Sequence, residues 1–131
     1  MKAFLSIKYF ADHRNKNRIQ AISSALKQNG IDSICIARDI EKWGTVVYEP
    51  AELMARTFQE IDSSNWVVID LSEKGVGVGI EAGYAHAEKI PIITIASQGA
   101  DISETLRGIS RCVFLYPDFN ALVRFFSEMK I

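Results

Sequence analysis

The chain has 131 residues, of which 48% are hydrophobic and 24% charged, with fifteen Lys and Arg against sixteen Asp and Glu. That length suits one domain spanning residues 1–131 with a genuine core, and the composition excludes disorder. A formal net charge of −1 excludes a surface-wide field that would draw the protein to nucleic acid, whereas a small anionic ligand needs only a few local cations.

Short apolar runs alternate with helical patterns along the chain. Residues 3–9 (AFLSIKY) read as a first strand, and charge returns at Lys8 and Asp12, too soon for a signal-peptide core. No run approaches a membrane span, so a cytoplasmic protein without a membrane partner is expected. Residues 15–28 place Ile19, Ile22, Ala25 and Leu26 at helical spacing, with Gly30 as the stop. A second strand follows at 31–37, then a polar connection at 38–49 with a turn at Trp43-Gly44. Pro50 starts a second helix over 50–62, with Leu53, Met54, Phe58 and Ile61 on one face.

Residues 66–71 (WVVIDL) form a third strand, apolar enough to be buried on both faces. A glycine-rich turn, SEKGVGVG, leads into a helix beginning IEAGYAHAEK. Strands at 92–96 and 112–116 and a terminal helix from about Pro117 complete the pattern, with Phe119, Leu122, Val123 and Phe126 turned inward; ISETLRG between those strands supplies one helical turn. Strand–helix alternation predicts an α/β fold of three layers, α/β/α, around a five-stranded parallel sheet of order 2-1-3-4-5, flavodoxin-like. The ligand crevice then lies at the strand C-termini, where the loops at 8–14 and 70–79 face each other.

Cys35 and Cys112 each sit in an apolar run and read as free thiols. Gly75, Gly77 and Gly79 fall at alternate positions directly after the buried third strand. Either they let the backbone approach a ligand closely, some with positive φ, or they serve a tight turn alone. Glu81 then falls in the first turn of the following helix, where the helix dipole favours a carboxylate. It is an ordinary helix-start charge or, at the lip of the crevice, a carboxylate poised to attack an anomeric carbon. Gly79, Gly83 and Ala87 form a small-residue stripe suited to close helix packing. His86 has no partner cluster, so no metal is expected, and no cofactor motif is visible. Trp66 reads as core; Trp43 is the better candidate to stack on a base.

The segment GVGIEAGYAHAEKIPII, residues 77–93, resembles the signature of the nucleoside 2-deoxyribosyltransferase family, in which G-x-G-x-E-x-G-x-A carries a nucleophilic Glu. Gly77, Gly79, Glu81, Gly83 and Ala85 are in register. That family includes 2'-deoxynucleoside 5'-phosphate N-hydrolases. The resemblance implies that Glu81 forms a covalent deoxyribosyl intermediate, released to water or to another base. The substrate is then a small nucleoside or nucleotide, and the chain associates at least as a homodimer. Ser6, Ile7 and Lys8 resemble the Ser-Ile-Arg loop of the phosphate-cleaving branch, with Lys8 keeping the charge but losing the bidentate geometry. Ser6, Lys8 and Arg14 are the expected 5'-phosphate donors, although His13, Arg14 and Lys16 also suit a solvated helix start. The family's Asp on the helix before the third strand is replaced by Thr57, its Asp or Ser before the glycines by Gly75, and its early aromatic by Lys2. Asp70 and Glu73 lie close enough in sequence to replace the missing helper, and either also suits an ordinary strand-end or loop acid, Glu73 the more so. The second reading from sequence is a nucleotide-sensing module of the same fold with lost or weak catalysis.

Overall fold

The structure, a computed structural model, describes residues 1–129. Five strands, β1 (Lys2–Ile7), β2 (Asp32–Ile34), β3 (Trp66–Asp70), β4 (Ile92–Ser97) and β5 (Cys112–Tyr116), form one parallel sheet in the order β2-β1-β3-β4-β5. The helices are α1 (Lys16–Lys27), α2 (Pro50–Asp62), α3 (Val76–Ala87), α4 (Glu104–Ile109) and α5 (Phe119–Glu128). The predicted order and layering therefore hold.

Successive strand residues point to opposite faces, and each face buries its own set. Ala3, Leu5, Val68, Ile93 and Ile95 pack under α1 and α5, against Ile19, Ile22, Leu26, Leu122 and Phe126. Phe4, Val67, Ile69, Ile92 and Ala96 pack under α2, α3 and α4, against Ile61, Val78, Ala82, Ala85 and Leu106. Each Val, Leu, Ile or Phe among them contributes roughly 1.5–3 kcal/mol when fully buried, and this doubly covered core holds the strand ends in place. Because α1 leaves β1 to one face and α3 leaves β3 to the other, a crevice opens at the C-terminal ends of these strands.

Local chemistry sets the ends. Gly30, at φ +74°, turns the chain from α1 into β2, a conformation that disfavours a side chain. Pro50 begins α2, and Glu49 before it is extended, as a residue preceding proline must be. Asp118 caps α5 by accepting the Ala121 N–H at 2.9 Å. Phe58 of α2 stacks on Tyr84 of α3 with ring centroids 4.2 Å apart, fixing one helix against the other.

Four expectations are corrected. The second strand stops at Ile34, and Ile36–Ile40 wind into a single π-helical turn closed by the Glu41 N–H on the Ile36 carbonyl at 2.9 Å. Asp39 accepts the Cys35 N–H at 2.8 Å, while Arg38 binds Asp39, Ser23 and the Ser33 carbonyl; these bonds pull the backbone off the sheet edge. The glycine motif lies inside α3, so Glu81 occupies the second helical turn. Gly75 is extended at φ −155°, and the left-handed glycines are Gly30, Gly44 and Gly99 instead. Phe119, expected inward, is 41% exposed. Finally, Gly79, Gly83 and Ala87 face solvent, and a Cβ added to either glycine would meet nothing within 4 Å.

Candidate active site

A cavity of about 480 Å³ opens above the C-terminal end of β1. This is within the usual range for a small-molecule site. Its floor is Phe4, Leu5, Ile7 and Lys8. One wall is the start of α3, with Gly75, Gly77, Val78 and Glu81, and another is Leu53, Met54 and Thr57 of α2. The segment after β2 supplies Cys35, Ile36, Ala37 and Glu41. Leu53 and Met54 are apolar residues on the inner face of α2 that stay only half-buried, because the cavity lies where the sheet would otherwise receive them.

Glu81 is the principal acid of this space. Ser6, buried at the end of β1, donates its hydroxyl to Glu81 Oε1 at 3.0 Å. No other side chain among the described residues bonds the carboxyl, and the surrounding protein raises its pKa to about 7 against the modest opposing effect of that one bond. The expected help from the helix dipole is missing, since Glu81 lies beyond the first turn of α3. Burial, not the dipole, governs this carboxyl.

Of the other residues marked in the sequence, Ser6, Ile7, Lys8, Gly75 and Gly77 meet around this cavity or its acid. A Cβ on Gly75 would stand 3.2 Å from Lys8 Cγ, so glycine there lets the Lys8 chain lie flat against the helix start. The first turn of α3 leaves N–H groups without intrahelical partners beside Gly77 and Val78. Gly79 faces away. Arg14 stays outside as well, exposed, paired with Asp12 at 3.0 Å and lying over the Phe10 ring. Trp43 meets His13 edge-on at 5.7 Å rather than lining the cavity.

Asp70 sits on the other side of the sheet's end, 1% exposed. Its Oδ2 accepts the Tyr116 hydroxyl at 2.6 Å and its Oδ1 the Ser72 N–H at 2.8 Å, with Arg18 3.9 Å away. It borders a small recess shared with Lys8 and Glu73, not the cavity of Glu81.

Thr57 and Glu41 complete the lining of the cavity, and only Thr57 is marked in the sequence. Thr57, where the resembled family has Asp, does line the cavity, but its hydroxyl donates to the Leu53 carbonyl at 2.8 Å. Glu41 lines the wall formed by the segment after β2. Its carboxyl has no hydrogen-bond partner among the described residues, and burial raises its pKa against the attraction of His13. Lys42, Trp43 and Gly44, directly after it, all have left-handed φ. Such a run stores strain and persists only where tertiary contacts enforce it. His13 Nε2 supplies one, 3.2 Å from where a Cβ on Gly44 would stand.

No helix among the described residues is long and apolar enough to cross a membrane. No protein-family model and no curated protein sequence matches the chain. Solved structures do. The chain is similar to a 2-deoxyribosyltransferase from the psychrotolerant bacterium Bacillus psychrosaccharolyticus, with a TM-score of 0.78 and 12% identity over 100% of this chain and 93% of that one. It is similar to the CMP N-glycosidase BcmB of Clostridium botulinum, at TM-score 0.71 and 16% identity over 98% and 100%. A 2-desoxiribosyltransferase from Leishmania mexicana follows, at TM-score 0.65 and 14% identity over 99% of both chains. At such identities the likeness establishes architecture: this chain has the fold on which these deoxyribosyltransferases and this CMP N-glycosidase are built.

Proposed function

We propose that the protein cleaves or exchanges the N-glycosidic bond of a 2'-deoxynucleoside or its 5'-monophosphate, with Glu81 as the nucleophile. The observation that carries this reading is the state of Glu81: a carboxyl with one hydrogen bond, raised to about pKa 7, at the wall of a nucleoside-sized cavity. Ser6 occupies Oε1, which leaves Oε2 to attack C1'. A poorly solvated carboxylate is more basic and more nucleophilic than one in water, and it also opposes the positive charge that grows on the sugar as the base leaves. The product of the first step is a deoxyribosyl ester on Glu81, which water or a second base then resolves. Lys8 and the main-chain N–H groups at the start of α3 supply donors for a 5'-phosphate. Exposed Val76 and Ile80 on α3 are consistent with association into a homodimer.

The test is base release from a panel of deoxynucleosides, ribonucleosides, their monophosphates and NAD, followed by chromatography. Glu81→Ala is expected to lower turnover about 10³-fold or more, and retained turnover removes the proposal. Thr57 and Gly75 favour a second reading, a nucleotide-binding module of the same fold with little catalysis. Tight binding of a monophosphate by the wild-type protein without release of base selects that reading.

A further inference from the structure

The glycosidic bond cannot break without somewhere for the base to put its electron pair, and Glu81 cannot provide the proton while acting as nucleophile. In a displacement at C1' the nucleophile and the leaving group occupy opposite faces of the carbon. With Glu81 on the α3 wall, the base must extend the other way, across the cavity. The sheet order specifies what lies there. β1 stands between β3 and β2, so the segment following β2 forms the opposite wall, and the acid on that segment bordering the cavity is Glu41.

We propose that Glu41 is the catalytic acid that protonates the departing base, and then the base that activates water. This rests on the reading of Glu81 given above. In the first step a Glu81 oxygen bonds to C1' and the C1'–N bond breaks with its electron pair left on the base. The Glu41 proton passes to a ring nitrogen or carbonyl oxygen of that base. In the second step water enters the vacated face, gives a proton to the Glu41 carboxylate and bonds to C1'. The ester C–O bond breaks and its pair returns to Glu81.

Three observations favour Glu41 for this work. Its carboxyl is not committed to any hydrogen bond, so it is free to turn toward a bound base. Burial raises its pKa from the ordinary value against the attraction of His13, a shift in the direction that suits an acid. Its position is enforced: the Glu41 N–H closes the π-helical turn, its carbonyl accepts the Gly44 and Val46 N–H groups at 3.0 Å each, and the strained residues 42–44 follow at once. The titratable groups around it are His13 and, about the cavity, Lys8, Tyr9, Cys35 and Glu81. One proton shared between two carboxyls suffices, because positive charge growing on the sugar holds Glu81 ionised and leaves the proton to Glu41.

The experiment compares leaving groups. A 4-nitrophenyl 2-deoxyriboside expels a stable anion that needs no proton, whereas a natural nucleotide expels a base that does. In single-turnover measurements of the first step, Glu41→Gln is expected to slow base release from the best natural substrate about 10²-fold or more and to leave the burst of nitrophenolate from the aryl glycoside within about threefold, while its slowed second step lowers steady-state turnover on both. Glu81→Ala removes both activities. Equal losses of the first-step rate on the two substrates in Glu41→Gln, or no loss on either, overturn the acid role while leaving Glu81 as nucleophile. Activity of Glu81→Ala on the aryl glycoside brings down the underlying reading and this inference with it. Because Glu41 is partly solvent-exposed and its side chain anchors nothing, an unchanged melting curve is expected for Glu41→Gln.

Discussion

Glu81 and Asp70 are carboxylates eleven residues apart, both at the C-terminal end of the sheet, yet the protein treats them oppositely. Asp70 is sealed in and satisfied, accepting bonds from Tyr116 and Ser72 with Arg18 nearby. Glu81 borders open space and has Ser6 alone. A carboxylate whose lone pairs are occupied serves the fold, and one left short of partners beside a cavity is available for reaction. The cost of that shortage appears as the raised pKa of Glu81. At Asp70 the strain falls on its partner, as burial and the neighbouring negative charge push the Tyr116 hydroxyl up to about 12.

The largest effect expected from this contrast is on stability at Asp70. Asp70→Ala takes the buried acceptor from the Ser72 amide and the Tyr116 hydroxyl and the countercharge from Arg18, leaving Tyr116 its weaker contacts with Ser72 Oγ and Arg18 at 3.2 and 2.9 Å. The expected loss is about 3–5 kcal/mol of unfolding free energy, read from urea denaturation at pH 7. Asp70→Asn, nearly isosteric, should be milder and keep base release in the folded fraction. Loss of turnover in fully folded Asp70→Asn would break the comparison and return Asp70 to the chemistry.

Glu81 carries the opposite expectation, that its removal stabilises. Its folded pKa of about 7 lies above the ordinary 4.5, so the folded state holds a proton that the unfolded chain has released between those values. Wild-type stability therefore falls as pH rises from about 4.5 through 7, with a penalty of up to about 3 kcal/mol fully present above pH 8. Glu81→Gln has no such penalty. It should be more stable than wild type by up to that amount at pH 8.5 and equal to it near pH 4, by denaturation at the two pH values. Equal stabilities at both would mean that the Glu81 carboxyl is well solvated.

The same contrast explains what the sequence could reveal. Strand order followed from the alternation of apolar runs with helical periods, and α2 from Pro50, because those signals act locally and agree with the final packing. Glu81 was visible in its glycine frame. The start of α3 at Val76 was not, since three glycines in five residues suggest a turn, and only packing of Val78, Ala82 and Ala85 on the sheet outweighs their poor helix propensity. Glu41 was hidden for a different reason. Its placement depends on Arg38 reaching Ser23 and Ser33 and on His13 meeting the 43–44 turn, contacts between segments that no local pattern announces. Asp70 stands close to the glycines in sequence, but whether an acid is satisfied depends on partners as distant as Tyr116.

The smallest and most specific prediction concerns the one bond that Glu81 does have. The Ser6 hydroxyl donates to Oε1, favours the ionised form and so partly offsets the effect of burial. Ser6→Ala removes that donor from a position 1% exposed, where a methyl group fits the space and water has little access. The Glu81 pKa should then rise further, by about one unit if the bond contributes about 1.5 kcal/mol, as hydrogen bonds to charged groups do. Since attack requires the carboxylate, the acid limb of kcat/KM against pH should move up by the same amount. The plateau at high pH should change less than the rate at pH 6.5, because at high pH both proteins are ionised and what remains lost is orientation alone. A uniform fall in rate with an unmoved limb would mean that Ser6 positions Glu81 without tuning it, and the acid–base contrast between Glu81 and Asp70 would then rest on burial alone.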